Sequence, residues 1–310
     1  MSNAHPAPQL LNRLRMRQVS LMLAIEQHGT LRGASEALGL TQPGATKMLH
    51  ELEDAIGHPL FDRVGRGLQI TASGQCVLSY FRGVRGTMQA LSRELQELQL
   101  GSAGKLFIGS IMAASPSHLT RALIEIKQLF PLLSIEIFVG TSDYLVKLLQ
   151  EGTLNLVIGR AIGLPARDYD FRPIANEALA VVVSQTHPLT GKTPVPFPAM
   201  LQYPWILQPS GSPMRDVMER EFGMHNAPLP KGLIETASIL TTTNLIAQSE
   251  MIAVIPDSVA SRYERHKLLT ILPYTIQNSL AAYGSIVRRD RPQSLATARF
   301  LALLHDSDAS

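Results

Sequence analysis

The chain is nearly without cysteine: Cys76 stands alone among 310 residues. A single thiol excludes an internal disulfide, a cysteine-based metal site and a redox pair, and it fits a reducing, cytoplasmic compartment. Aromatic residues make up only 5% and charged residues only 17%, against 45% hydrophobic. That balance marks a globular chain and not a disordered one. Long apolar runs are also missing. The longest uncharged stretch, Thr193 to Met214, holds six prolines and is unfit to span a membrane. The apolar run Leu21–Ile25 is too short for a signal-peptide core, and no small-residue cleavage site follows it. An intracellular protein of about two or three domains, without a membrane partner, is the expectation. Residues 1–10 read as a disordered tail.

Charge of one sign is scarce overall, with 28 basic and 25 acidic side chains. Its distribution is less even. Residues 1–93 hold ten basic and six acidic groups, whereas the remainder holds eighteen and nineteen. The positive excess therefore sits in the first third, which suits a polyanion partner there, although a solvated surface produces the same imbalance.

Helical signals dominate that third. Met16–His28 carries apolar residues at helical spacing and ends at Gly29. Thr30 can cap a helix over Leu31–Leu38, Gly39 can end it, and Leu40 can plug the space between helices. Thr41 can cap a third helix whose first turn accommodates Pro43 and which buries Ala45, Leu49, Leu52 and Ile56. Two short helices joined by a glycine-containing turn, behind a supporting helix, spell helix–turn–helix over residues 30–49. The opposite face of the third helix offers Gln42, Gly44, Thr46, Lys47 and His50. Glutamine can pair with adenine, lysine can reach guanine or phosphate, and threonine can touch a thymine methyl. A merely solvated face is the alternative. Short apolar segments around Val64-Gly65-Arg66-Gly67 read as a β-hairpin wing. Arg66 can enter a minor groove there. Arg63 can contact DNA or pair with Asp62 or Glu53.

From Thr71 onward a seam appears: Val77, Phe81, Val84, Met88, Leu91, Leu95 and Leu98, spaced alternately by four and three residues. A strict heptad predicts a left-handed coiled coil and a homodimer. The alternative is an amphipathic helix lying on its own domain. Gly101-Ser102-Ala103-Gly104 then reads as a hinge.

By this point the chain resembles a LysR-type transcriptional regulator. The residues carrying the likeness are Leu31–Ser35, Leu40–Lys47, Leu52-Glu53, Pro59–Arg63 and Ile70–Gly74. The run Glu51–Asp54 with Arg63–Gly67 is similar to the branch that includes regulators of protocatechuate and sugar uptake. The resemblance implies a winged helix–turn–helix, a coiled-coil linker-helix dimer or a tetramer, and a two-lobed effector domain of the periplasmic-binding-protein type. It also implies DNA contacts at Gln42, Pro43, Thr46, Lys47 and Arg66. The sequence departs from the family at Ser35, where alanine is usual, and at Lys47, where arginine is common. Lysine lacks the bidentate fork of arginine, which weakens base reading there but preserves a phosphate contact.

Beyond Lys105, apolar runs alternate with helical segments, the pattern of a parallel α/β sheet. The expected organisation is a DNA-binding domain over 11–71, a linker helix over 72–100 and an effector domain over 104–308. Lobe I covers about 104–178 and 280–305, and lobe II about 179–279. Ligands of such sheets bind beyond strand ends, near helix starts. The candidates are Ser110, Met112, Ala113 and Ser115; Thr141 and Ser142; Arg160; and, from the second lobe, Gln208, Ser210, Ser212, Thr236 and Ser238. Hydroxyls at helix starts with one arginine suit a small carboxylate or another anion. Simple N-capping explains the hydroxyls equally well, and Arg160 can instead pair with Asp143 or Glu151. No cofactor is expected besides such an effector, and RNA polymerase is a further candidate partner.

Two rivals stand beside this reading. An enzyme would need a phosphate loop, nucleophile elbow, dinucleotide glycine pattern or zinc pair, and none is present. Cys76 reads as an inert thiol. His58, His118, His187, His225 and His266 are scattered, without partners at ligand spacing. An architectural DNA binder would have no need of the long α/β portion.

Overall fold

A computed structural model describes residues 13–64, 67–100 and 104–306, without the side chains of 63, 64, 90 and 93–100. The expected tail over 1–10 lies outside this range. The chain divides into two compact units after Ser92. Among the described residues no helix is long and apolar enough to cross a membrane.

The first unit runs α1 (Met16–His28), α2 (Leu31–Ala37), α3 (Gln42–Ile56), β1 (Phe61–Val64), β2 (Gly67–Ile70) and α4 (Ala72–Leu100). Gly29 ends α1 at φ +68°, a left-handed conformation that costs glycine nothing. Thr30 and Thr41 each accept a backbone N–H, from Gly33 and Gly44, and so cap α2 and α3. The second helix stops at Ala37, so Leu38 lies outside it and is exposed, not part of its buried stripe. Ser35 is buried to 2%. Its hydroxyl donates to the Arg32 carbonyl at 2.8 Å, which satisfies the polar atom that alanine would lack.

The start of α4 is pinned to the segment before the wing. Thr71 Oγ1 donates to the Pro59 carbonyl at 2.9 Å and accepts the Gly74 N–H at 3.0 Å. A Cβ at position 74 would collide with the Leu60 carbonyl oxygen, which explains the glycine in Thr71–Gly74. Glu26 of α1 and Arg82 of α4 form an ion pair on the same side.

The heptad expectation needs correction at Phe81. Phe81 is buried in the domain core with Leu78, and Val77 and Val84 pack against that core. Phe81 therefore serves its own domain, whereas Val77 and Val84 are only partly covered by it. Leucine 78 lies off the heptad seam, and adding it widens the apolar face to the breadth of a helix lying on a core. Met88 and Leu91 remain 45% and 47% exposed; the side chains of Leu95 and Leu98 lie outside the description.

The second unit contains two five-stranded mixed sheets. In the first, β3 (Lys105–Ser110), β4 (Ser134–Val139) and β5 (Leu156–Gly159) run parallel. The order β4-β3-β5-β12-β6 is completed by β12 (Tyr283–Arg288), antiparallel to β5, and by β6 (Tyr169–Ala175), antiparallel to β12. A purely parallel sheet is thus replaced by a mixed one, because β12 returns from the second lobe in the opposite sense. Strand β6 escapes sequence reading: it is an edge strand with Asp170 and Arg172 exposed and little apolar alternation. Helices α5 (Thr120–Leu129) and α6 (Ser142–Gln150) follow β3 and β4. Short 3₁₀ and π turns over Met112–Ala114 and Ser115–Leu119 precede α5.

The second sheet has the order β11-β7-β10-β8-β9. Its strands are β7 (Leu179–Val183), β8 (Trp205–Leu207), β9 (Ile234–Glu235), β10 (Ile252–Pro256) and β11 (Thr270–Ile271). Val181 and Val183 face one core while Ala180 and Val182 face another, so β7 is buried on both faces and reads as a continuous apolar run. Around it lie α7 (Phe197–Met200), α8 (Pro213–Met224), α9 (Ile239–Ala247) and α10 (Asp257–Arg265), and α11 (Leu295–His305) closes the first lobe. Phe300 and Leu304 of α11 join the first-lobe core.

One buried carboxylate organises the chain's return from lobe II. Glu221 on α8 accepts from the Tyr274 hydroxyl at 2.6 Å, the Gln277 N–H at 3.1 Å and the Asn278 side-chain amide at 3.0 Å. Burial pushes its carboxyl up, but these hydrogen bonds outweigh it and hold the group below its ordinary value. A depressed carboxylate contributes stability above its unfolded-state value and loses it as pH falls through the folded-state value. Glu221→Gln is expected to cost about 2–3 kcal/mol at neutral pH. It should also flatten the acid limb of stability below about pH 4.5, read by urea melts across pH.

Candidate DNA-reading surface and interlobe cleft

The face of α3 opposite Ala45, Leu49 and Leu52 is open. Gln42, Pro43, Gly44, Lys47 and His50 are exposed, and all but His50, which lies midway along it, fall in the N-terminal part of the helix. Thr46 is half-buried and donates to the Gln42 carbonyl at 2.9 Å. Lys47 Nζ lies 3.9 Å from Glu51 Oε1 with both side chains in solvent. Such a pair holds its partners weakly, so the ammonium is available to a phosphate. Of the five expected DNA contacts on this helix, Gln42, Pro43, Thr46 and Lys47 therefore share its N-terminal end, with His50 about one turn further along. Arg66 lies outside the described residues, and the side chain of Arg63 does as well.

Glu53 links this helix to the wing. Its Oε1 accepts the N–H groups of Leu60 and Phe61 at 2.8 and 3.3 Å, and His50 Nδ1 lies 3.6 Å from Oε2. The carboxylate thus fixes the point where β1 leaves α3. Sequence reading considered Glu53 only as a partner for Arg63. Glu53→Ala is expected to destabilise the fold by about 2–3 kcal/mol, because it strands two backbone donors. It should also weaken binding to specific and random DNA in parallel. A thermal melt with fluorescence anisotropy on both duplexes checks this.

In the second unit a small cavity of about 20 Å³, room for about one water, lies between the lobes. Met112, Ala113, Thr141, Ser142, Arg160 and Gln208 line it, six of the twelve positions expected to bind an effector. The other six do not. Ser110 is buried and donates to the Ile111 carbonyl. Ser115 begins the π turn, and Ser210 is exposed. Ser238 caps α9 through the Thr241 N–H. Ser212 likewise caps α8 by accepting from Arg215, and Thr236 accepts the Ser238 N–H. Capping is thus the role of Ser212 and Ser238. Thr141, by contrast, makes no side-chain cap on α6.

Arg160 is where the structure departs most from the sequence reading. It pairs with neither Asp143 nor Glu151. Its Nη2 meets Glu177 Oε2, its Nε donates to the Ala281 carbonyl at 2.9 Å, and its backbone N–H donates to Ser142 Oγ at 3.1 Å. Glu177 and Ala281 lie on the two segments that cross between lobes. Burial raises the Glu177 carboxyl above its ordinary value against the opposing pull of Arg160. Burial, then Glu177, push the nearby Tyr283 phenol up to about 12. Glu177 was missed because nothing local singles it out; the available signal was that a buried arginine requires a counter-charge.

Residues 16–75 match the model of bacterial regulatory helix-turn-helix proteins of the lysR family, and residues 99–309 match the LysR substrate binding domain. The HTH-type transcriptional regulator GbpR of Azospirillum brasilense is 30% identical over 295 residues, covering 94% of this chain and 86% of GbpR. The chain belongs to the LysR family. It is therefore a DNA-binding transcription regulator with an effector-binding domain, and not an enzyme. Among solved structures, CbnR, a LysR family transcriptional regulator, aligns with a TM-score of 0.66 at 19% identity, over 96% of this chain and 100% of that one. Full-length CbnR bound to its target DNA aligns at 0.64, with 19% identity, over 95% of this chain and 100% of that one. The effector binding domain of QuiR in complex with shikimate aligns at 0.55 with 17% identity, over 66% of this chain and 97% of that one.

Proposed function

We propose that this LysR-family regulator works in the cytoplasm as a homo-oligomer that binds a dyad-symmetric promoter site through paired winged helices. A small molecule in the interlobe cleft shifts lobe closure and so the spacing of the DNA-binding heads. The observation that carries the DNA half is the clustering of Gln42 and Lys47 at the exposed N-terminal end of α3, with His50 about one turn further along. That placement suits entry into a major groove. The effector half rests on a cavity lined from both lobes, since a ligand there changes the closure equilibrium by binding one arrangement better. Met88 and Leu91 are the exposed apolar remainder of the α4 seam and support pairing of two copies. The Arg160 guanidinium is already paired with Glu177 and Asp143 stands in the first turn of α6, so the uncapped Thr141 hydroxyl is the polar group left for a ligand.

Lys47→Ala is expected to weaken binding to every duplex and to flatten the salt dependence of log K by about one unit. An unchanged slope in anisotropy titrations would remove lysine 47 from phosphate contact. Gln42→Ala is expected to relax preference at one base pair by about 1–3 kcal/mol. Equal losses on operator and random DNA would show that glutamine 42 reads no base.

A further inference from the structure

Glu177 has a side chain only 3% exposed, and it lines the interlobe cavity. Arg160 Nη2 occupies Oε2. The other oxygen, Oε1, is buried without a hydrogen-bond partner. Buried carboxylate oxygens are ordinarily satisfied, because desolvation without a donor is a standing penalty. The cavity's own donors, the Thr141 and Ser142 hydroxyls and the Gln208 amide, do not reach it. The missing donor must therefore come from whatever enters the cleft.

Charge narrows the chemistry. The Arg160–Glu177 pair is internally balanced, so the cavity presents no net positive charge to a carboxylate. A hydroxyl-free acid would bring only acceptors against Oε1, where like charges repel. A hydroxyl brings the required donor and keeps lone pairs for neighbouring groups. Thr141, whose side chain caps nothing, and the start of α6 stand ready for a second oxygen of the ligand.

We propose that the effector is recognised through a hydroxyl that donates to Glu177 Oε1, so that this regulator responds to hydroxylated small molecules and rejects hydroxyl-free analogues of the same shape. The inference rests on the interlobe cavity being the effector site. Polyols and hydroxy acids share the required group and differ only in what they offer to α6.

The test uses full-length protein and matched probes in thermal-shift and calorimetric titrations. Hydroxy acids (shikimate, quinate, gluconate) and neutral polyols (myo-inositol, pentoses, hexoses) form two arms. Cyclohexene-1-carboxylate, cyclohexanecarboxylate, hexanoate and benzoate form the hydroxyl-free arm. At least one hydroxylated probe is expected to bind saturably, and about a hundredfold or more tighter than its counterpart, as in sites built around a hydroxyl. A response confined to the acids places the carboxylate at α6; a response to polyols shows that no carboxylate is needed; both support the hydroxyl. Comparable affinity for a hydroxyl-free acid overturns the inference and leaves the effector cleft standing. Saturable binding in no arm, by protein that still retains its promoter fragment, overturns both. Glu177→Gln keeps an acceptor for Arg160 but removes the charge facing the hydroxyl. It is expected to cut the preference for hydroxylated probes about tenfold, and an unchanged preference overturns the proposal. If that variant does not fold, the matched probes on unaltered protein decide.

Discussion

Burying Arg160 to 5% exposure imposes conditions on everything around it, because a guanidinium out of water must be paired and its donors filled. The chain meets those conditions from three directions. Ser142 at the start of α6 holds the backbone, while Glu177 and Ala281 on the crossing segments hold the side chain. The end of β5, the start of α6 and both connections between lobes are thereby tied together at one point. Any change in lobe closure has to be accommodated around this cluster, which is also the wall of the cleft. Structure and ligand chemistry are coupled here: the same carboxylate that neutralises the arginine keeps one oxygen for the cavity.

The DNA-binding unit is ordered by a different principle, the local satisfaction of backbone groups. Thr30, Thr41 and Thr71 cap successive helices, and Glu53 accepts from the backbone before the wing. Each of these side chains removes a helix-terminal or loop donor that would otherwise be unpaired. Gly74 is required for the close approach of α4 to Leu60. Reading residues need only face outwards from such a frame, and the apolar stripe of α3 ensures that they do.

Helix α4 shows how far periodicity reaches. A spacing of four and three fits a coiled coil and also fits a helix lying on its own domain, because both place one stripe against a neighbour. The identity of the neighbour is not encoded in the spacing. Phe81, Val77 and Val84 join the core built by Val19, Met22, Leu52 and Leu60, whereas Met88 and Leu91 are left in solvent. A seam that looks uniform in the sequence is divided between two duties.

Local chemistry determined a large part of this protein. Caps, glycine stops, apolar runs and helical stripes are interactions between residues close in sequence, so α1 to α3, the wing and most strands of the two lobes were legible without coordinates. So was the end of α3 that carries Gln42 and Lys47. The tertiary structure decided what depends on residues far apart: the antiparallel return of β12, the mixed sheets and the edge strand β6. It also decided which hydroxyls cap helices and which line the cleft, and that Arg160 answers to Glu177. Pairings across many residues follow from how lobes and crossing segments fold back on one another, and a linear pattern has no term for that distance.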